Sequence, residues 1–256
     1  MRSVRQERQT PPAATLGVWR VATADDRAVL KVVGHGGGDR RWPSRADPAD
    51  THYWRREPLA YASGVLEPFG VPHCRAVVER EDGTVALWLD DGGEPPARRG
   101  AAELGDIAFR LGRAQAQLVG IEADWLVPGF LAEYLRLHDV VLDPGVQARL
   151  DELPQTLCHN DFHPGNVLAD GSVIDWAYCG TGAVGLDAGV LVVDGLADGV
   201  VPADEADAVA DAVWARYSEG LGLADDGVRF GFVQGVSRLR WLPRAEAFIQ
   251  RLASDT

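Results

Sequence analysis

The densest group of chemically useful side chains in this 256-residue chain lies between residues 158 and 168, in the sequence CHNDFHPGNVL. His159, Asp161, His163 and Asn166 all fall in this short segment. Such side chains can move protons or bind a metal ion, and short polar residues also stabilise turns. Alternate residues of an extended segment face the same way, so His159, Asp161 and His163 could also be the metal ligands of a hydrolase.

The pattern H-x-D-x-x-x-x-N, followed by an Ile-Asp-Trp strand end, resembles the catalytic and metal-binding loops of the aminoglycoside phosphotransferase family, which shares the protein-kinase fold. The resemblance covers nearly the whole chain in order. It implies that Asp161 accepts or orients the proton of an acceptor hydroxyl and that His159 braces the catalytic loop. It also implies that Asn166 and Asp175 offer oxygen ligands to Mg²⁺, whose remaining ligands are phosphate and water.

Lysine occurs once in the chain, because 24 of the 25 basic residues are arginine and only Lys31 is lysine. The resemblance makes Lys31 the strand lysine that contacts the α- and β-phosphates of a nucleotide, with Glu57 as its partner on the next helix. A planar guanidinium cannot replace the compact ammonium group of lysine at such a site. Trp88, Leu89 and Asp90 resemble the segment between the lobes whose backbone binds the nucleobase.

The first third of the chain has the pattern of a small sheet with one helix. Residues 15–21 and 28–33 are rich in β-branched and apolar residues, which predicts two strands. Residues 74–80 and 84–89 flank an Asp-Gly turn and predict a hairpin. Residues 51–66 predict a helix that carries Glu57, although Pro58 is expected to bend or shift it.

The pattern changes after the Gly- and Pro-rich segment 90–100. Residues 101–119 repeat apolar side chains at helical spacing. Further helices are expected at 128–139, 145–152, 186–197, 203–220, 226–240 and 243–252. These elements predict an α+β, bilobal, protein-kinase-like fold: a β-rich nucleotide-binding lobe at 1–92, a hinge at about 87–100, and at 93–256 a larger helical lobe with the catalytic loop, the metal-binding loop and the substrate site.

One segment departs from the family pattern. Residues 10–17, expected to cover the phosphates, have the sequence TPPAATLG and contain a single glycine, Gly17. The resemblance also implies that an aspartate at the position of Asp187 supports the catalytic loop. Five other acidic residues are expected to form a solvated helix face. These are Asp194, Asp198, Asp204, Glu205 and Asp207.

Composition excludes several classes of protein. The net charge of −13 argues against nucleic-acid binding, and it fits either attraction of a cationic ligand or solubility alone. The three cysteines form no CxxC pair, which argues against a disulfide framework and favours a cytoplasmic location. No apolar segment approaches the ~18 residues of a membrane span.

The resemblance and the charge together predict an ATP- or GTP-dependent O-phosphotransferase that uses Mg²⁺. Its acceptor is expected to be a hydroxylated small molecule, with a cationic antibiotic as the leading class and resistance by inactivation as the outcome. A kinase of a sugar or an amino alcohol is the alternative, since the site would be the same. A metal hydrolase and a nucleotide-binding module without catalysis are more remote alternatives, and the chain could be a monomer or a homodimer.

Overall fold

The computed structural model describes residues 3–7, 14–24, 26–36 and 42–254. Its amino-terminal part is a five-stranded antiparallel sheet with the strand order β1-β2-β3-β5-β4. The strands are β1 (Ser3–Glu7), β2 (Thr15–Ala22), β3 (Arg27–Val33), β4 (Cys74–Glu79) and β5 (Val85–Asp90). The order follows from the hairpins β1–β2, β2–β3 and β4–β5 and from one crossover connection between β3 and β4, which carries the helix of this lobe.

The central strand β3 places the lysine in the interior of the sheet. Successive side chains of a strand face opposite sides, so Val29, Lys31 and Val33 share one face. Lys31 pairs across the sheet with Val18 on β2 and with Leu87 on β5. Its side chain is buried, with a relative exposure of 7%. An ammonium group at this depth needs charged partners.

The helix α1 (Arg56–Ser63) carries Glu57 but begins five residues later than the sequence pattern predicts. Residues before it form turns and an isolated bridge between Arg45 and Tyr53. Pro58 therefore lies in the first turn, where a missing N–H costs little. The helix ends at Gly64, whose φ of 73° is typical of a left-handed helix cap.

The remaining chain is mainly helical and adds a two-stranded sheet. The helices are α2 (Ala101–Gln117), α3 (Phe130–Arg136), α4 (Pro144–Asp151), α5 (Leu186–Ala197), α6 (Ala206–Leu221), α7 (Asp226–Val236) and α8 (Pro243–Ser254), and the strands are β6 (Gln155–Cys158) and β7 (Gly180–Ala183). We call the five-stranded sheet with α1 the N-lobe and this helical part the C-lobe. The α+β, bilobal prediction is confirmed. No helix among the described residues is long and apolar enough to cross a membrane.

Close helix pairs build the C-lobe, and glycines allow the closest approaches. A Cβ added at Gly189 on α5 would lie 2.2 Å from the carbonyl oxygen of Phe232 on α7. One hydrophobic core cluster extends from Phe69 and Leu87 of the N-lobe to Leu111 and Trp176 of the C-lobe. The two lobes are therefore packed on a shared core, and the polar loops lie at its edge.

Candidate active site

A cleft lies between the sheet and the C-lobe loops. Val18 and Val29 line it on the side of the sheet, and Leu168 and Ile174 line it on the side of the C-lobe. Charged residues complete its wall. These are Arg20, Lys31, Glu57, Asp90, Asp91, Glu94 and Asp175. The lining therefore combines apolar side chains from both lobes with several charged groups, as is typical of small-molecule binding pockets.

Lys31 joins the two lobes through an ion-pair triad. Its Nζ lies 2.7 Å from Glu57 Oε2 on α1 and 2.7 Å from Asp175 Oδ1 in the C-lobe. Glu57 is almost fully buried, with a side-chain exposure of 2%, whereas that of Asp175 is 25%. The triad brings Lys31 into direct contact with Glu57, its predicted partner, and also with Asp175, which was predicted only as a metal ligand.

The triad shifts the proton affinity of its members in different directions. Burial opposes the charge of Lys31, but the carboxylates of Asp175 and Glu57 outweigh it and raise the pKa of Lys31 above its usual value. Burial also opposes the charge of Asp175, yet the ammonium of Lys31 lowers the pKa of Asp175. Burial raises the pKa of Glu57 against the pull of Lys31, because Glu57 is the deeper of the two carboxylates. At neutral pH the lysine stays charged.

Asp175 and Asn166 have backbone positions that direct their side chains into the cleft. Asp175 adopts the left-handed conformation with φ 65°, which short polar residues tolerate better than others. Asn166 receives the amide of Ile174 on its backbone oxygen at 2.9 Å, so the two loops are tied together. The side-chain Nδ2 of Asn166 donates to the backbone oxygen of Asp161 at 3.0 Å, which leaves its amide oxygen available.

The loop that contains Asp161 is held from within by His159. The amide of Asp161 donates to His159 Nδ1 at 3.2 Å, and His159 Nε2 lies 2.8 Å from the backbone oxygen of Ile174. Nδ1 must therefore be unprotonated, and Nε2 carries the hydrogen. Burial lowers the pKa of His159, which fits this neutral form. His159 therefore contacts the backbone at Asp161 and at Ile174 and ties these two segments together.

Asp187, at the start of α5, supports the same loop from the other side. Its carboxylate accepts the amides of His159 at 2.7 Å and Asn160 at 2.9 Å. Gln115 on α2 donates to it at 3.0 Å and in turn accepts from the hydroxyl of Tyr217. Burial raises the pKa of Asp187 to about 6, and the amide donors limit the rise.

Arg238, which follows α7, contacts the carboxylate of Asp161 directly. Its NH2 group lies 3.0 Å from Asp161 Oδ1 and 2.6 Å from Asp194 Oδ2 on α5. Its NH1 group donates to the backbone oxygen of Asn160 at 2.8 Å. The second oxygen of Asp161, Oδ2, makes no hydrogen bond to the residues that the structure describes, and the side chain is 30% exposed.

The cleft brings together most of the predicted site residues. Its lining includes Lys31, Glu57, Leu89, Asp90, Asn166 and Asp175. Trp88 does not line the cleft because its side chain projects from the opposite face of β5. His159 and Asp161 lie beside the cleft rather than in its wall. These positions are compatible with the predicted roles, which remain predictions.

The predicted phosphate-covering segment lies only partly within the described residues, because residues 8–13 fall outside them. Gly17 belongs to β2, where an added Cβ would lie 2.3 Å from the ring of Trp19. The missing side chain of Gly17 therefore makes room for that ring. His163 accepts the amide of Gly165 on Nδ1 at 3.2 Å, which gives it a local structural role.

The oxygen donors of the cleft fit a hard divalent cation. Asn166 offers a neutral amide oxygen and Asp175 offers the oxygen that does not contact Lys31. Mg²⁺ commonly takes only one or two ligands from the protein in phosphate-transfer sites. No group of three or more His, Cys, Asp or Glu side chains that could hold a metal ion occurs among the described residues. The hydrolase-type ligand set of His159, Asp161 and His163 therefore does not assemble.

Sequence reasoning missed Arg238 and misplaced Asp194. Asp194 is buried, with an exposure of 7%, so the expectation of a solvated face is wrong for this residue. The burial of Asp194 could have been predicted from its spacing, because Asp194 lies seven residues after Asp187 in an apolar helix and thus on the same face. Arg238 had no local signal, because its partner Asp161 is 77 residues away.

Comparison with known proteins identifies a family. The model of the phosphotransferase enzyme family matches residues 13–226. This match spans strands β2 to β5, the cleft, the loop that contains Asp161 and most of the helical lobe. Among curated protein sequences, no match is found.

Solved structures with a similar fold include several small-molecule kinases. An amicoumacin kinase in complex with AMP-PNP, Ca²⁺ and Ami has a TM-score of 0.59 and 14% identity, covering 98% of this chain and 87% of that chain. A microcompartment-associated aminopropanol kinase has a TM-score of 0.56 and 14% identity, with coverages of 99% and 89%. An aminoglycoside phosphotransferase from Streptomyces rimosus, in complex with ADP and streptomycin, has a TM-score of 0.56 and 17% identity, with coverages of 92% and 92%. At these identities the likeness shows the fold, and it confirms the predicted protein-kinase-like architecture.

Proposed function

Since this chain belongs to the phosphotransferase enzyme family, we propose that it transfers the terminal phosphoryl group of ATP or GTP to a hydroxyl group of a small molecule. The observation that carries the proposal is the placement of Lys31, Glu57, Asn166 and Asp175 around one cleft, with Asp161 beside it. A positively charged group, oxygen donors for a metal and a free carboxylate oxygen are the parts that phosphoryl transfer needs.

Each residue of the site has a task that its contacts support. Lys31, charged and held by Glu57, offers its ammonium group to the phosphates. Asp161 presents Oδ2 to the acceptor hydroxyl, orients it and takes up its proton. The hydroxyl oxygen bonds to the terminal phosphorus as the bond from that phosphorus to the bridging oxygen breaks, and the nucleoside diphosphate leaves. His159 and Asp187 keep Asp161 in place through the loop backbone. The apolar side chains of the cleft exclude water from the base.

Asn166 and Asp175 would hold the Mg²⁺ ion. When bound, the ion neutralises phosphate charge and orients the terminal phosphate. The chain keeps the neutral amide oxygen of Asn166 and the charged carboxylate oxygen of Asp175 on one side of the cleft. The link from Asn166 to the backbone of Asp161 ties this side to the acceptor side.

The acceptor class that we favour is a hydroxylated antibiotic that carries positive charge. The net charge of −13 supports a cationic ligand, because an acidic surface raises the local concentration of cations. Two of the similar structures were solved with Ami and with streptomycin. A phosphate added to such a compound introduces negative charge and acceptor oxygens that disturb target binding. The aminopropanol kinase supports the second candidate, a kinase of a metabolic amino alcohol.

A transfer assay tests the proposal. The protein is incubated with Mg²⁺ and labelled ATP or, separately, GTP, against a panel of hydroxylated antibiotics and amino alcohols, and product mass is measured. We expect one compound to gain a single phosphate. Asp161→Asn should abolish the transfer and leave the affinity for Mg²⁺–AMP-PNP unchanged, because Asp161 lies outside the nucleotide cleft.

Three results discriminate between the candidates. A gain of phosphate on amino alcohols alone would favour the metabolic kinase. Slow hydrolysis of nucleotide without transfer would support the kinase site but reject the acceptors tested. Neither transfer nor hydrolysis by the wild-type protein, together with intact nucleotide binding, would reject the enzyme and support a binding module.

A further inference from the structure

The proposed catalytic carboxylate shares a buried arginine with a second carboxylate. Arg238 lies in the short turn Ser237–Leu239 after α7, and its side-chain exposure is only 6%. One nitrogen, NH2, serves both Asp161 and Asp194, at 3.0 Å and 2.6 Å. NH2 donates a hydrogen bond to Asp161 Oδ1, and its contact with Asp194 is an ion pair. The three groups together carry a charge of −1.

The same arginine also fixes the backbone beside Asp161. NH1 donates to the backbone oxygen of Asn160 at 2.8 Å. Asn160 has a φ of 66°, a left-handed conformation that needs support from its surroundings. The guanidinium group lies over the ring of Tyr134, with its carbon 4.5 Å from the ring centre. Arg238 is thus held from one side by the ring and from the other by two carboxylates.

Arg238 distinguishes the two oxygens of Asp161. Oδ1 accepts from the arginine, whereas Oδ2 has no hydrogen-bond partner among the residues that the structure describes. A carboxylate without this tie could rotate and present either oxygen, or swing towards other donors. We infer that Arg238, held in turn by Asp194, is a positioning residue that binds one oxygen of Asp161 and leaves the other for the acceptor hydroxyl. This inference rests on the proposed phosphotransferase function.

Arg238 contributes both a positive charge and a planar shape to its contact with Asp161. A positive charge anywhere near Asp161 would favour its ionised form, whereas the observed geometry also requires a planar group that reaches Asp161, Asp194 and the backbone of Asn160 together. Lysine offers a point charge, and it can reach fewer of these oxygens at once. The activity should therefore depend on the shape of the cation as well as on its charge.

The test compares Arg238→Ala and Arg238→Lys with the wild type in steady-state transfer to the acceptor identified by the panel, or to water if only hydrolysis is found. We expect kcat to fall about 100-fold in Arg238→Ala, since displacing a reacting group by about 1 Å has this effect. KM for the nucleotide should stay within about twofold, because the nucleotide cleft is not touched. Arg238→Lys should show an intermediate kcat.

Chemical rescue with free guanidinium tests whether the planar cationic group of Arg238 is itself responsible for the effect on kcat. Millimolar guanidinium chloride, far below denaturing concentrations, should restore part of the kcat of Arg238→Ala, whereas urea of similar shape without charge should not. Arg240→Ala is the matched control, because Arg240 lies two residues away and bonds to Ser237 and Gln234 but not to Asp161. Its kcat should equal that of the wild type.

Several results would overturn the inference. The inference would be wrong if a folded Arg238→Ala variant had the kcat of the wild type. It would also be wrong if the whole loss in kcat/KM came from a higher KM for the nucleotide. If Arg238→Ala does not fold, Arg238→Lys is the deciding variant. A wild-type kcat in Arg238→Lys would show that the planar shape of the arginine is not needed, which contradicts the inference. Failure of the proposed function itself would appear in the wild-type protein, which would then show neither transfer nor hydrolysis.

Discussion

At the scale of single residues, Lys31 is the charge on which the proposed nucleotide site depends. A single Nζ lies 2.7 Å from two carboxylates in a position that is 7% exposed. In Lys31→Arg the charge is kept, but the wider planar group cannot occupy this space without displacing Glu57 or Asp175. We expect kcat/KM for the nucleotide to fall by roughly 10- to 100-fold, which corresponds to about 1.4–2.7 kcal/mol.

Arg27→Lys, the opposite substitution on the same strand, is the control for Lys31→Arg. Arg27 lies at the exposed start of β3, and Arg27→Lys should leave kcat/KM unchanged. Equal kinetics of Lys31→Arg and the wild type would mean that the single lysine of this arginine-rich chain is a coincidence.

Asp194 should make the stability of the protein depend on pH. Burial raises its pKa to about 6, although Arg238 opposes the rise; Asp161, His163 and Asp198 are the other titratable groups near it. The folded form thus binds a proton more tightly than the unfolded form, so this group stabilises the fold at low pH and the contribution is lost as pH rises towards neutrality. Between pH 4 and pH 7 the loss is about 2 kcal/mol.

Asp194→Asn removes this titration. Urea unfolding of both proteins at pH 4 and pH 7 measures it: the free energy of unfolding of the wild type should fall by about 2 kcal/mol more than that of the variant. The variant is expected to be less stable at pH 7, since Arg238 loses a charged partner. Parallel pH dependences of the two proteins would show that Asp194 does not titrate in this range.

The residues found from sequence are those whose spacing along the chain reflects a local structure. Asp161, Asn166 and Asp175 belong to two neighbouring loops, so their separation in sequence nearly determines their separation in space. Arg238 meets Asp161 only because α7 packs against α5, and no pattern in one sequence reports such a contact. Side chains that support a site from distant helices are thus the part that sequence reasoning cannot reach.

At the scale of elements, the contact between α5 and α7 brings Asp187, Asp194 and Arg238 to the catalytic loop. In Gly189→Ala the new methyl group would lie 2.2 Å from a backbone oxygen and 2.5 Å from a backbone nitrogen of α7. The helices must separate, and overpacking of this kind costs about 1–3 kcal/mol, more than the roughly 1 kcal/mol gained in helix propensity. We expect a lower melting temperature and reduced transfer.

Gly100→Ala provides the comparison for this helix contact. Gly100 has an extended backbone and open space where a Cβ would lie. Its melting temperature should therefore stay close to that of the wild type. A Gly189→Ala protein as stable and active as Gly100→Ala would show that the α5–α7 distance is adjustable.

Helices were predicted better than short strands, and the reason is physical. The pattern of α5 predicts residues 186–197, and the structure has the same bounds. Strand β7, with the sequence GTGA, contains no apolar repeat and was missed, because pairing with β6 rather than propensity defines it. Helix α1 begins later than predicted for a similar reason. The side chain of Arg56 donates to the backbone oxygens of Asp50 and Thr51, which holds the preceding segment in turns and not in a helix.

At the scale of the whole molecule, Arg56 connects the two lobes. It is 1% exposed and donates to the backbone oxygens of Asp50 and Thr51 in the N-lobe and of Trp125 in the C-lobe. In Arg56→Met the backbone oxygens of Thr51 and Trp125 lose this donor, whereas that of Asp50 keeps the amide of Tyr53. Each group left without a partner costs about 1–3 kcal/mol, so we expect the free energy of unfolding to fall by about 2 kcal/mol or more, measured by urea denaturation.

The neighbouring Arg55 is a matched control for this lobe contact. Arg55 forms an exposed ion pair with Glu79 at 2.7 Å. Since exposed ion pairs contribute about 0–1 kcal/mol, Arg55→Met should change stability little. If both variants lose the same stability, the contact between Arg56 and Trp125 does not join the lobes.

The pair between Lys31 and Asp175 has a further consequence, because it spans the proposed nucleotide cleft. Asp175 is the expected ligand of a divalent ion, yet one of its oxygens already has the ammonium of Lys31 as an internal counterion. An incoming metal ion therefore competes with a tethered cation that never diffuses away. Only a partner that brings its own negative charge, such as a triphosphate, can draw the lysine aside. Metal ion and nucleotide should thus enter together, each making room for the other.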